Sequence, residues 1–153
     1  MSDVVELTIP VRANLVVLAR LAAATVASRA DFDIEEIEDL RLAVDELCVS
    51  LVQGDGDGRL DLRFSHDDDQ IEVTCSFRTD SIESGGASES EGASDGSLDG
   101  LSARILDALV DEHGEDIEEG QRRAWLRKRR ARNCLLYTSE DRSAWFDPGA
   151  VGM

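Results

Sequence analysis

Cysteine is scarce, and long apolar runs are absent. The 153 residues include three cysteines, Cys48, Cys75 and Cys134, too few and too scattered for a disulfide framework or a zinc site. Cys48 and Cys75 fall on apolar faces, so we expect small buried side chains there. No apolar run approaches the roughly 18 residues that span a bilayer, and the acidic start lacks the positive segment of a signal peptide. These absences predict a cytoplasmic protein.

Positive charge is also scarce. Lys and Arg total 16 against 33 Asp and Glu, a net charge of -17, which disfavours nucleic acid and anionic membranes as partners. Residues 1–121 hold 30 acids and 8 bases, whereas residues 122–132 hold seven bases and no acid. This basic run could bind nucleic acid. Its alternation with Ala124, Trp125 and Leu126 instead favours an edge or outer-face strand, where charge discourages aggregation.

Hydrophobic periodicity predicts seven elements in the order β-α-α-β-β-α-β. Alternating apolar residues indicate strands around 5–9, 60–64, 71–77 and 123–130. A period of 3.6 residues indicates helices over 13–30, 34–52 and 98–112, the last ended by Gly114. The second helix is the strongest of these, with Asp33 as N-cap and Glu36 in the capping-box position. The fold class is therefore α+β, a two-layer sandwich with a four-stranded antiparallel sheet and helices on one face.

Two segments fall outside this pattern. Residues 79–97 consist mainly of Ser, Gly, Glu and Asp, which bury too little surface to order themselves, so they predict a mobile loop. Residues 133–153 continue no element, and Cys134–Ser139 resembles the in-frame translation of a sequencing adapter. A native, weakly structured tail is the alternative. We therefore expect one domain over residues 1–132 and assign no function to the tail.

The phrase Leu-Arg-Leu-Ala-Val-Asp-Glu-Leu-Cys-Val-Ser at residues 40–50 resembles a known family. It is similar to a helix of the anti-sigma factors that control bacterial stress-response and sporulation sigma factors. The resemblance covers residues 4–130 and implies the histidine-kinase-like ATPase fold. It also implies ATP and Mg²⁺ as cofactors, a sigma factor and an anti-anti-sigma factor as partners, serine kinase activity on the latter, and a homodimer.

The same resemblance assigns four candidate site residues. Glu46 matches the family carboxylate that orients or deprotonates the attacking hydroxyl. Ser50 stands where the family has an asparagine that holds Mg²⁺, and is the candidate metal and cofactor ligand. Asp80 matches the start of an Asp-x-Gly-x-Gly box whose two glycines are missing here. Gly100 is the glycine kept from a Gly-x-Gly-Leu box, in either of two alignments two residues apart.

Each of these residues also has an ordinary structural interpretation. Glu46 could be a solvated carboxylate, Ser50 an exposed helix serine, Asp80 a loop-starting aspartate and Gly100 a helix-start glycine. The first function predicted is an anti-sigma factor that sequesters a sigma factor and has a degenerate nucleotide site. The alternatives are an active ATP- and Mg²⁺-dependent serine kinase and a small acidic domain with an unrelated partner.

The acids at the start of the second helix form a candidate partner surface. They lie within residues 31–39 and would attract a basic protein such as a sigma factor. Acids at a helix start also complement the helix dipole, which is the alternative explanation.

Overall fold

The fold is a five-stranded antiparallel sheet with three helices. A computed structural model describes residues 3–52, 57–79 and 100–131. The strands are β1 (Val4–Pro10), β2 (Gly58–His66), β3 (Gln70–Thr79), β4 (Glu112–Glu118) and β5 (Gln121–Arg129), and the helices are α1 (Val16–Arg29), α2 (Ile34–Leu51) and α3 (Gly100–Leu109). The sheet order is β1-β2-β3-β5-β4, and every neighbouring pair is antiparallel. The predicted α+β class is confirmed.

The helix α2 begins with the capping box that the sequence predicts. The Asp33 carboxylate accepts from the Glu36 N–H at 2.9 Å, and Glu36 accepts from the Asp33 N–H at 2.9 Å. These bonds satisfy two groups that a helix start otherwise leaves unpaired. The apolar stripe of α2, which includes Leu40, Val44 and Leu47, is fully buried against α1, α3 and the sheet.

The core lies between the helices and one face of the sheet. The strand residues predicted to pack there are all buried: Leu60, Leu62, Ile71, Val73 and Leu126. Cys48 of α2 and Cys75 of β3 are buried too, as predicted. A hydrogen bond to Cys48, reinforced by burial, raises the pKa of the Cys75 thiol well above its usual value. The thiolate is therefore suppressed, which suits a packing role.

The predicted sheet of four strands was wrong by one. The third helix ends at Leu109, not at residue 112, and residues 112–118 form the edge strand β4. This strand is rich in Glu and Asp and contains Gly114, so it lacks the apolar alternation that identifies a strand. Gly114 lies opposite Trp125, and a Cβ on Gly114 would meet the indole ring at 3.0 Å. This close approach explains why residue 114 is a glycine, which the sequence had suggested as the end of the third helix.

The basic run lies inside the sheet, which corrects the predicted edge position of the last strand. β5 is hydrogen-bonded to β3 on one side and to β4 on the other. Its outward-facing arginines pair with acids of both neighbours: Arg127 lies 2.8 Å from Glu72 and 2.6 Å from Glu112. Arg123 makes two bonds to Asp116, which hold the pKa of that carboxyl below its usual value. The cluster is therefore partnered by the chain's own carboxylates.

Lys128 is the inward-facing member of the basic run, and only 8% of it is exposed. Its ammonium donates to the Leu109 carbonyl at 2.7 Å and lies 3.4 Å from the Asp39 carboxylate. A cation at the last turn of α3 satisfies a terminal carbonyl and complements the helix dipole. Lys128 thus joins β5, α3 and α2.

Several predictions concern residues outside the described ranges. Asp80, nearly all of the predicted mobile loop and the tail 133–153 are among them. No helix within residues 3–52, 57–79 and 100–131 is long and apolar enough to cross a membrane.

Candidate functional site

The α2 and α3 helices bring two polar side chains together. The Ser102 hydroxyl, in the first turn of α3, donates a hydrogen bond to Glu46 Oε1 in the second half of α2. Both side chains are partly buried in the groove between the helices. Gly100, the candidate cofactor-binding residue, is the first residue of α3, and a Cβ there would meet nothing within 4 Å. The structure therefore places the start of α3 beside Glu46.

Ser50 lies one turn after Glu46 but is turned into the protein. It is only 6% exposed, and its hydroxyl donates to the Leu47 carbonyl of the same helix at 2.8 Å. A serine that bonds back to its own helix satisfies its donor locally. The predicted exposed-serine alternative does not describe this residue.

A cavity of about 430 Å³ opens at one end of the sheet, between the end of α2 and the strands β3 and β5. Its lining includes Leu51, which follows Ser50, and Thr79, the last described residue before Asp80. The end of α2 and the end of β3 thus meet at one cavity, but Ser50, Glu46 and Gly100 do not line it. The strand β5 adds Gln121 and Arg122, and β3 adds Arg78, which pairs with Asp61 at 3.0 Å.

Neither Ser102 nor this basic lining was predicted from the sequence. Ser102 had a signal, because it lies two residues after Gly100 within one alignment of the glycine box. Arg122 had none, because the β4–β5 hairpin was not predicted and the last predicted strand began only at residue 123.

A second cleft of about 440 Å³ lies at the opposite end of the sheet. Its lining comes from the end of α1, the β2–β3 turn and the residue after β5, and includes Asp31, His66 and Arg130. Of the candidate site residues that the structure describes, Glu46, Ser50 and Gly100, none lines it. In the part of the chain that the structure describes, no cluster of three or more His, Cys, Asp or Glu side chains could hold a metal ion.

The side-chain oxygens of Glu46 and Ser50 on α2 do not form a Mg²⁺ site in this structure. Mg²⁺ requires nearly octahedral oxygen ligands at 2.0–2.1 Å. The hydroxyl of Ser50 is buried and bonded to the Leu47 carbonyl, and Glu46 Oε1 is bonded to Ser102. These two oxygens thus already serve contacts within the protein.

Comparison with known proteins identifies the family. The family model for the histidine kinase-like ATPase domain matches residues 9–129, which include every strand and helix except part of β1. This chain belongs to that family. The prediction made from the phrase at residues 40–50 is confirmed.

The relatives are serine-protein kinases called RsbW. The protein of Bacillus subtilis (strain 168) is 35% identical over 86 residues, 54% of each chain. That of Bacillus licheniformis is 28% identical over 130 residues, 78% of this chain and 81% of the relative. The Listeria monocytogenes serotype 4a protein is 30% identical over 131 residues, 78% of this chain and 83% of the relative.

The matches cover different shares of the relatives. The chain spans about half the length of the Bacillus subtilis relative, 54%, and most of the Listeria monocytogenes relative, 83%. ATP binding with Mg²⁺ is the general chemistry of such a family.

Proposed function

We propose that this protein is a cytoplasmic anti-sigma regulatory factor with a degenerate nucleotide site. It sequesters a sigma factor, acts as a homodimer and is antagonised by an anti-anti-sigma protein. The observation that carries the proposal is that both candidate side chains of α2 are already hydrogen-bonded within the chain. The hydroxyl of Ser50 donates to the Leu47 carbonyl, and Glu46 accepts from Ser102. Relatives that are serine-protein kinases support the family part of the proposal.

The degenerate site follows from ligand chemistry. The serine hydroxyl oxygen at position 50 is one bond closer to the backbone than an asparagine amide oxygen, and here it is hydrogen-bonded within α2. To bind Mg²⁺, it would have to leave the Leu47 carbonyl and become accessible. Loss of one metal ligand, together with the missing glycines after Asp80, is expected to reduce nucleotide affinity by several kcal/mol, where each 1.4 kcal/mol is about tenfold.

The sequestering function depends on charge. A net charge of -17 attracts the basic surface that a sigma factor needs for DNA. The basic run 122–132 does not offset this attraction locally, because Arg122, Arg123 and Arg127 are paired with acids of β3 and β4.

The second candidate is an active serine kinase that phosphorylates the anti-anti-sigma factor. Its support is the retained carboxylate of Glu46 and a cavity lined by Leu51 and Thr79, which are the chain neighbours of Ser50 and Asp80. In that case Glu46 would take the proton of the acceptor hydroxyl as a general base.

Calorimetric titration of the purified protein with ATP and Mg²⁺ separates these candidates. For a sequestering factor we expect a dissociation constant at least about tenfold weaker than the low micromolar range, equivalent to 1.4 kcal/mol. Binding to a sigma factor, measured in parallel, should be the same with and without ATP. A low micromolar dissociation constant for Mg-ATP would contradict the degenerate site.

A phosphate-transfer assay with labelled ATP and an anti-anti-sigma factor tests the kinase directly. If transfer occurs, Glu46→Ala should abolish it while most of the ATP affinity remains, because the carboxylate acts on the acceptor rather than on the nucleotide. Absence of transfer, together with sigma-factor binding, supports the sequestering function.

A further inference from the structure

Glu46, the candidate general base, is hydrogen-bonded to Ser102 of the same chain. The two residues are 56 positions apart, and the hydroxyl donates directly to Glu46 Oε1. On the same helix, Asp39 and Asp45 form ion pairs with the cations Lys128 and Arg20. Glu46 is instead bonded to a neutral serine hydroxyl.

Contacts at two places along α3 hold Ser102 in position. Leu106 lies one turn later on the same face of α3 and is completely buried in the core. At the far end of α3, the Leu109 carbonyl accepts from the buried ammonium of Lys128. Because both anchors hold α3 against α2, the hydroxyl of Ser102 is directed at Glu46 by the packing of the helix.

We infer that Ser102 is a positioning residue: its hydroxyl binds Glu46 where the hydroxyl of an external acceptor serine would otherwise bind. A serine Oγ–H bonded to a carboxylate is the arrangement in which a general base meets the hydroxyl it activates. Here the hydroxyl belongs to the same chain, so Glu46 is held in one orientation and screened from an external serine. The inference rests on the proposed function, because it explains how a sequestering factor can retain this carboxylate without using it.

Carboxylate labelling tests the contact directly. The protein is treated with a water-soluble carbodiimide and an amine, and the rate of modification of Glu46 is followed by peptide mass spectrometry. We expect Ser102→Ala to accelerate labelling of Glu46 by about tenfold, the factor that corresponds to loss of one hydrogen bond to a charged group. Ser102→Thr keeps the hydroxyl and should restore nearly the original rate.

Two controls keep the result interpretable. Ser65→Ala removes a hydroxyl from the outer face of β2, away from α2, and should leave the labelling rate of Glu46 unchanged. Glu36 is a buried reference carboxylate in the same protein, and its unchanged labelling in Ser102→Ala shows that the fold is intact. Equal labelling of Glu46 in the original protein and in a folded Ser102→Ala variant would overturn the inference.

Labelling requires neither nucleotide nor a sigma factor. The contact can therefore be demonstrated even if sigma-factor binding is absent, and that outcome would contradict the proposed function alone. Conversely, sigma-factor binding combined with unchanged labelling would contradict the role of Ser102 alone.

Discussion

At the scale of single residues, Glu36 differs from the acids around it. It is 8% exposed, and its carboxylate accepts hydrogen bonds from the Asp33 N–H and from the Ala131 N–H after β5. Its own backbone N–H donates to the Asp33 carboxylate, which completes the capping box of α2. The neighbouring Glu38 is bonded to Arg41, and Asp39 lies near Lys128. Glu36, Glu38 and Asp39 therefore all make contacts within the fold.

Replacing Glu36 with glutamine should destabilise the protein. The amide nitrogen cannot accept a hydrogen bond, so one of the two backbone N–H groups loses its partner, at a cost of about 1–2 kcal/mol in the free energy of unfolding. The measurement is urea unfolding followed by circular dichroism. Glu35→Gln is the matched control, since Glu35 is exposed and adjacent, and it should change the free energy by less than about 0.5 kcal/mol. Equal effects of the two substitutions would contradict the role of Glu36.

At the scale of elements, the β4–β5 hairpin is specified by charge and by one aromatic contact. The register places Glu112 opposite Arg127, Asp116 opposite Arg123 and Gly114 opposite Trp125. Cross-strand pairs of opposite charge contribute to sheet stability. The hairpin therefore depends on pairing between two strands, because β4 alone lacks the apolar pattern of β2 or β3.

The stability of this hairpin should depend on pH in acid. The bonds from Arg123 hold the pKa of Asp116 below its ordinary value, with burial acting in the opposite direction. Because the folded pKa is lowered, the stabilisation is present above the ordinary value of about 3.9 and is lost as the pH falls through the folded pKa. Carbon-detected NMR titration of the Asp116 carboxyl checks this, with a midpoint below the ordinary value.

Substitution of the arginines identifies the cause of the shift. Arg123→Ala should return the pKa of Asp116 towards its ordinary value, because it removes both bonds. Arg122→Ala is the matched control, since Arg122 belongs to the same strand and pairs with Glu115 instead. A titration midpoint for Asp116 that is insensitive to Arg123→Ala would assign the shift to another group.

At the scale of the whole molecule, the acidic excess is the dominant electrostatic feature. The basic run is paired within the sheet, and the acids of residues 31–39 are largely committed to α2 and its neighbours. Residues 80–99 contribute six acids and no base to the sequence. A partner attracted by the field of the molecule therefore need not bind at the start of α2.

Association with a sigma factor should be slowed by salt. The Debye length falls from about 30 Å at 0.01 M to about 8 Å at 0.15 M, so steering by the net charge weakens over this range. Stopped-flow or surface-binding measurements should show the association rate falling by about tenfold. Substituting Glu83, Glu89 and Glu91 with glutamine should slow it further, while Glu35→Gln should have a smaller effect. A rate independent of both salt and these charges would exclude electrostatic steering.

Local sequence patterns determined most of the elements and the family. The capping box and period of α2, the alternation of β2 and β3, and the phrase at residues 40–50 depend on residues close together in the chain, so they were predictable. The antiparallel sandwich followed from the short connection between β2 and β3. The phrase also located Glu46 and Ser50 on α2.

The tertiary structure alone decided the remaining features. β4 is a strand because its acids meet the arginines of β5, and Lys128 is buried because the end of α3 offers it a carbonyl. The contact between Ser102 and Glu46 joins residues 56 positions apart, and that between Ala131 and Glu36 joins residues 95 apart. The physical reason is that such partners are selected by how helices and strands pack together, whereas a local pattern records only the nearest neighbours along the chain.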